Sequence, residues 1–152
     1  MTPDLGKDNL ILTAMFRAGA VFRDPHLLCG LSFPELSACH VVRLNDQMNK
    51  STRAKDISVA LKISKPAVSK LLNSMEEKGL VLRERRDNDR KSVYLSLTPK
   101  AIALLEEQKA TASVVTKKIF AEMGMDKAKE FLSDIDLFYN CYKKVEATLW
   151  ED

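Results

Sequence analysis

The tightest constraint on this chain's fold lies between Arg53 and Thr98, where the hydrophobic period changes and each change is punctuated. Ile57, Ala60 and Leu61 fall on one side of a short helix over roughly 54–61, and Lys62-Ile63 breaks it. Ser64 then supplies an N-cap oxygen, and Pro66 sits in a first turn where its missing N–H costs nothing. Val68, Leu71, Leu72 and Met75 resume the helical spacing, and Gly79 permits a left-handed stop. Beyond Gly79 the period becomes two. Val81 and Arg83 alternate with Leu80 and Leu82, and Val93, Leu95 and Leu97 alternate with Tyr94 and Ser96, around the polar turn Asp87-Asn88-Asp89-Arg90-Lys91. Helix, turn, helix and hairpin in this order predict a helix-turn-helix with a β-hairpin wing.

The flanks read as helices. Ile11, Met15, Ala18 and Phe22 form a stripe over 7–23, which Arg23-Asp24-Pro25-His26 ends, because the residue before a proline avoids the α region. A loop from His26 to Leu31 follows. Ser32-Phe33-Pro34-Glu35 spells a capping box for a helix reaching about Lys50, supported by Leu36, Val41, Leu44 and Met48. A brief extended piece at Ser51-Thr52 precedes the helix-turn-helix. Thr98-Pro99 opens a long helix over about 99–122. Gly124 ends it, and Asp126 caps a last helix to about Trp150. The fold class expected is mainly α with a small β-hairpin wing, a winged helix-turn-helix between flanking helices.

Charge says where an anionic partner would sit. The net charge of the 152 residues is only +3, yet residues 51–100 hold 12 Lys/Arg against 6 Asp/Glu, and the rest hold 12 against 15. A recognition helix enters the major groove by its N-terminal side, which offers Ser64, Lys65, Ala67, Ser69, Lys70 and, a turn on, Asn73. Lys65 and Lys70 can donate to guanine or to phosphate, and Ala67 can touch a thymine methyl. Arg53 and Lys55 flank the preceding helix, where backbone contacts are expected. The wing's Arg83, Arg85, Arg86, Arg90 and Lys91 suit a narrow minor groove, with Asp87 and Asp89 holding the turn.

The last helix carries Phe131, Ile135, Phe138, Tyr142, Val145 and Leu149 at spacings of four, three, four, three and four. The long helix before it adds Leu105, Ala112, Val115 and Ile119. One chain can bury such stripes only in part, so a second copy is a physical expectation.

The stretch A54-K-D-I-S-V-A-L-K-I-S-K-P-A-V-S-K-L-L-N-S-M-E-E-K-G-L-V-L-R, with D87-N-D-R-K-S-V-Y-L-S-L-T98, resembles the MarR family of winged-helix regulators. The specific parts are I-S-x-x-x-V-S-x-L, E-x-K-G-L-V-x-R, and D-x-[basic] six residues ahead of L-T. One departure stands out. The wing-tip position that is commonly arginine in the family is Lys91 here, with Arg90 beside it. The resemblance implies a two-fold homodimer built from the first and last two helices, binding double-stranded DNA as a regulator of transcription, typically a repressor. It implies three parts: a dimerisation helix and loop over 1–32, the winged domain over 33–98 and dimerisation helices over 99–152. It also implies a small aromatic or phenolic effector, for which Met15, Phe16, Phe33, His40 and Arg43 are the matching candidates, Arg43 pairing with a carboxylate.

Other chemistry finds little footing. There is no Gly-rich phosphate loop, no G-x-S-x-G and no framed carboxylate pair, so neither an enzyme nor a cofactor is expected. His26, Cys29, Glu35, Cys39 and His40 crowd one span without metal-ligand spacing, so no metal is expected. No secretory leader is visible, and no apolar run approaches the roughly 18 residues of a membrane span, so a cytoplasmic location away from membranes is expected. Two alternatives remain. One is a winged-helix module that binds protein and not DNA. The other is a regulator responding to thiol oxidation through Cys29, the loop cysteine; Cys39 and Cys141 lie in helices.

Overall fold

A computed structural model describes residues 9–86 and 89–149. In chain order the elements are α1 (Asn9–Phe22), α2 (Pro25–Leu28), α3 (Phe33–Gln47), β1 (Thr52–Arg53), α4 (Ala54–Leu61), α5 (Lys65–Glu77), β2 (Val81–Arg86), β3 (Asp89–Leu97), α6 (Pro99–Met123) and α7 (Met125–Leu149). The architecture is the expected one, mostly helical with a small antiparallel sheet. The sheet has three strands in the order β1-β3-β2, because the short piece before α4 pairs with β3, Thr52 opposite Leu95 and Arg53 opposite Tyr94.

Local chemistry accounts for the boundaries. Ser32 and Glu35 form the capping box: Glu35 N–H donates to Ser32 Oγ at 3.4 Å, and Ser32 N–H donates to Glu35 Oε2 at 2.8 Å. Ser64 Oγ accepts from Ala67 N–H at 3.4 Å. Lys62 takes the left-handed conformation that closes α4, and Ser58 Oγ donates to Ile63 O at 2.7 Å to fasten the turn. At the end of α5, Gly79 has φ 66, its N–H donates to Glu76 O, and Leu80 N–H donates to Met75 O. That pair of bonds is a Schellman stop, with Met75 and Leu80 both in the core.

Four local expectations are corrected. The segment after α1 is not all loop: Asp24 accepts from His26 N–H and starts the single turn α2. Asp126 lies in the first turn of α7 and not at its cap, a position held by Gly124, whose carbonyl accepts from Ala128 N–H. On α3 the buried side is Leu36, Ala38, Cys39 and Val42, while Leu44 and Met48 face solvent. On α4, Ile57 is fully buried, whereas Ala60 is exposed. Short helices admit two neighbouring apolar stripes, and tertiary packing selects one.

By compactness the chain divides into two units, one up to Thr111 and one from Ala112 onward. The core of the first unites Leu36, Cys39 and Val42 of α3 with Ile57, Val68, Leu72, Met75, Val81, Leu95 and Leu105. Its buried polar groups are Glu35, Asn45 and Thr52, and Asn45 Nδ2 donates to Thr52 Oγ1 at 3.0 Å. Residues Pro25–Gln47 include a window of mean hydropathy 1.2, high enough for a membrane span by composition alone. Left-handed Cys29 and Gly30 split that segment into two helices, and the apolar side of α3 forms the core. In the second unit Ala128 is buried, and the side chains of α7 are otherwise exposed or nearly so.

Candidate nucleic-acid interface

The same periodicity that buries Val68, Leu72 and Met75 turns the opposite side of α5 to solvent. Lys65, Pro66, Ala67, Ser69, Lys70 and Asn73 are all exposed on it. Ser64, at the cap, is exposed too. Helix α5 therefore presents two lysines, small side chains and the positive end of its dipole on one accessible surface.

Lys55 of α4 lies between two clefts beside this surface. One, of about 240 Å3, is lined by Ala54, Lys55 and Ser58 of α4 with Lys65, Val68 and Ser69 of α5. The other, of about 420 Å3, is lined by Arg53, Ala54, Lys55 and Asp56 with Ser92 and Val93 of β3. Arg53 is exposed, its N–H donates to Asp56 Oδ2 at 2.8 Å, and its guanidinium carbon stands 5.8 Å from the centre of the Tyr94 ring.

The wing arginines separate into distinct environments. Arg85 is exposed. Arg83 is tied down: its Nη2 donates to Asn73 Oδ1 at 2.6 Å, and its Nε lies 3.3 Å from Glu76 Oε2. The side chains of Arg86, Arg90 and Lys91 lie outside the described residues, as do Asp87 and Asn88.

Sequence reasoning missed what holds α5 in place. Glu35 is only 2 % exposed, and besides its cap bond it accepts from Ser74 Oγ at 3.1 Å and from Lys78 Nζ at 2.7 Å. Burial opposes ionisation, but the hydrogen bonds from Lys78, Ser32 and Ser74 outweigh it and lower its pKa to about 2. The capping-box motif revealed Glu35's local role. Its partners 39 and 43 residues away left no sequence signal.

The effector candidates are less well gathered. Met15 and Phe16 are exposed on α1, and Phe33 and His40 are exposed on α3. Arg43 already has a carboxylate partner, Glu106, at 3.6 Å. None of the five lines either cleft beside α5. The thiols differ sharply: Cys39 is buried, and burial, with Glu35 nearby, raises its pKa to about 11. Cys29 is half-buried with Sγ 3.9 Å from His26 O, and Cys141 is exposed.

Comparison with known proteins agrees with this geometry. Residues 30–92 match the MarR family. Among solved structures, the fold is similar to that of Streptococcus pneumoniae FabT in complex with DNA, at 22% identity and a TM-score of 0.71, covering 93% of this chain and 99% of that one. It is also similar to CouR, a transcriptional repressor bound to a 23-mer DNA duplex, at 23% identity and a TM-score of 0.70, covering 91% and 99%. A third is the MarR family transcription regulator SP03579, at 15% identity and a TM-score of 0.75, covering 97% and 95%. At these identities the likeness establishes the fold.

Proposed function

We propose, for a chain whose residues 30–92 match the MarR family, that it is a DNA-binding regulator of transcription and not an enzyme, and that it binds a pseudo-palindromic operator as a homodimer and represses transcription until a small aromatic or phenolic ligand releases it. The observation that carries the DNA reading is the outward side of α5, where Lys65, Ser69 and Lys70 are exposed opposite a fully packed side. Around it, Arg53, Lys55 and Arg85 supply cations for phosphate, and the lysines of α5 reach base edges or phosphate. The wing tip, Arg86, Arg90 and Lys91, enters the minor groove.

Dimerisation uses the terminal helices, leaving 33–98 as the DNA-binding part between 1–32 and 99–152. Phe131, Ile135, Phe138, Tyr142, Val145 and Leu149 are each between 44% and 66% exposed in the single chain, and water is a poor partner for such a stripe. Two recognition helices in a two-fold dimer would meet half-sites about one helical turn apart. Repression fits the family and the role of CouR, a transcriptional repressor. An effector would bind near Phe33, His40 and Arg43 on α3 with Met15 and Phe16 of α1, in the cytoplasm where the DNA is, and act by favouring one dimer geometry.

The test is selection of bound duplexes from fragmented genomic DNA, followed by titration at several salt concentrations, with and without candidate aromatic acids. Affinity should fall steeply as salt rises, through counterion release. Absence of duplex binding at low salt would end the DNA reading and favour a protein-binding module. Lys70→Ala should weaken the selected duplex by about 1–3 kcal/mol and relax preference at one position if Lys70 reads a base. An unchanged preference would remove it from the readers.

A further inference from the structure

Arg83 stands in the sequence as one more wing cation, but its surroundings are those of a strut. In the sheet it is opposite Leu95, and opposed residues share a face. Leu95 is buried, so Arg83 emerges on the core side of β2 and not toward open solvent. There it meets the end of the outward side of α5. Its Nη2 donates to Asn73 at 2.6 Å, and its Nε, buried from water, faces Glu76 at 3.3 Å outside hydrogen-bond geometry. Asn73 and Glu76 are one helical step apart, in line with Ser69 and Lys70. One planar guanidinium thus spans two elements, held on two of its nitrogens, and such a fork fixes orientation better than a point charge can.

Resting on the DNA reading above, we infer that Arg83, Asn73 and Glu76 form a clasp that sets the angle between the wing and α5, and that Arg83 and Asn73 act on DNA affinity as positioning residues and not through contact. Glu76 makes the inference testable. A carboxylate beside a DNA-binding surface repels phosphate, so its removal should tighten binding unless it holds something in place. The clasp requires the reverse.

The experiment uses the full-length protein, a duplex enriched from genomic fragments and an unrelated duplex, each titrated at four or more salt concentrations. Glu76→Gln, Asn73→Ala and Arg83→Gln should each weaken the enriched duplex by roughly tenfold, an effect typical of coupled pairs. The double change E76Q/R83Q should be no worse than either alone. The salt slope should stay at the wild-type value in all of them, because no phosphate contact is lost. Arg83→Lys, which keeps the charge but loses the fork, should resemble Arg83→Gln. Arg85→Gln supplies the contrast, since loss of a phosphate contact lowers the slope by about 0.9. The clasp is overturned if Arg83→Gln lowers the slope as Arg85→Gln does while Glu76→Gln binds as well as or better than wild type, or if Arg83→Lys matches wild type. Failure of wild type to bind any duplex overturns the DNA reading and the clasp's role together. A defect confined to the variants' slopes overturns the clasp alone. Glu76 is half exposed, so its conversion to glutamine leaves the fold intact, and a thermal melt of each variant checks this.

Discussion

The unit that ends at Thr111 and helix α7 treat apolar residues in opposite ways. Among the described residues, the first collects Ile57, Val68, Leu72, Met75, Val81 and Leu95 into one core, with polar groups inside it paired. Helix α7 runs for 25 residues with a stripe just as regular, and buries Ala128. Regularity therefore does not distinguish the two. What differs is the supply of neighbours: α3, α4, α5 and the sheet present apolar surfaces to one another from several directions, whereas a single amphipathic helix needs a second surface of its own size. A stripe in the sequence announces that burial is wanted, not where the other half will come from.

The contrast can be broken most decisively on α7. Replacing Ile135 and Phe138 by Glu together should weaken the proposed dimer at least a hundredfold, read by sedimentation across a dilution series, while leaving the helical signal of the winged unit. A wild-type chain already monomeric at micromolar concentration would remove the proposed reason for the stripe. Inside the core, Ile57→Ala should cost about 2–4 kcal/mol in denaturant unfolding at fixed protein concentration, since the fully buried side chain leaves a cavity on removal. A cost below about 1 kcal/mol would mean that this core is loosely packed.

The buried carboxylate sharpens the contrast through pH. Glu35's pKa falls from 4.5 to about 2 on folding, so the unfolded chain takes up its proton more readily. The stabilisation is fully present above about pH 4.5 and is lost as pH falls toward 2. It is on the order of 2–3 kcal/mol, tempered by the half-exposed Lys78 ammonium. Unfolding midpoints between pH 6 and 2.5 should drop for the wild type and flatten in that window for Glu35→Gln. The smallest effect belongs to the cap: Ser64→Ala should cost about 1 kcal/mol.

Much of this was legible because local chemistry is written locally. The caps at Ser32, Ser64 and Thr98 and the stop at Gly79 are functions of a few adjacent residues, and they sit where the spacing predicts. What stayed hidden joins residues distant in the chain. The strand β1 is too short to show a period and exists because Thr52 and Arg53 find β3. Arg83 reads as one of five basic residues, and only the partners that fold brings to it, Asn73 and Glu76, separate it from Arg85. By residue type Leu44 and Met48 are as fit for the core as Leu36 and Val42, and packing chooses between them. For the site, the outward side of α5 follows from periodicity, whereas the effector residues, taken from the family resemblance alone, are scattered over α1 and α3, with Met15, Phe16, Phe33 and His40 exposed and Arg43 half-buried beside Glu106.

The fastening of α5 at one end has a mechanical meaning. Glu35 grips Ser74 and Lys78, Lys100 Nζ donates to Lys78 O at 2.7 Å, and Thr98 Oγ1 donates to Gly79 O at 2.7 Å, all at the helix exit. At the other end Ser64 and Lys65 are exposed, and the helix is held there by the burial of Val68 and by the turn to α4. Thirteen residues at 1.5 Å each make a lever arm of about 20 Å. A tilt of about 5° about the helix exit then carries the exposed tip through roughly 1.7 Å, more than the tolerance of a hydrogen bond. A small rotation at the fulcrum is thus enough to carry the tip from engagement to miss, with no unfolding and no change in any side chain that would touch the groove.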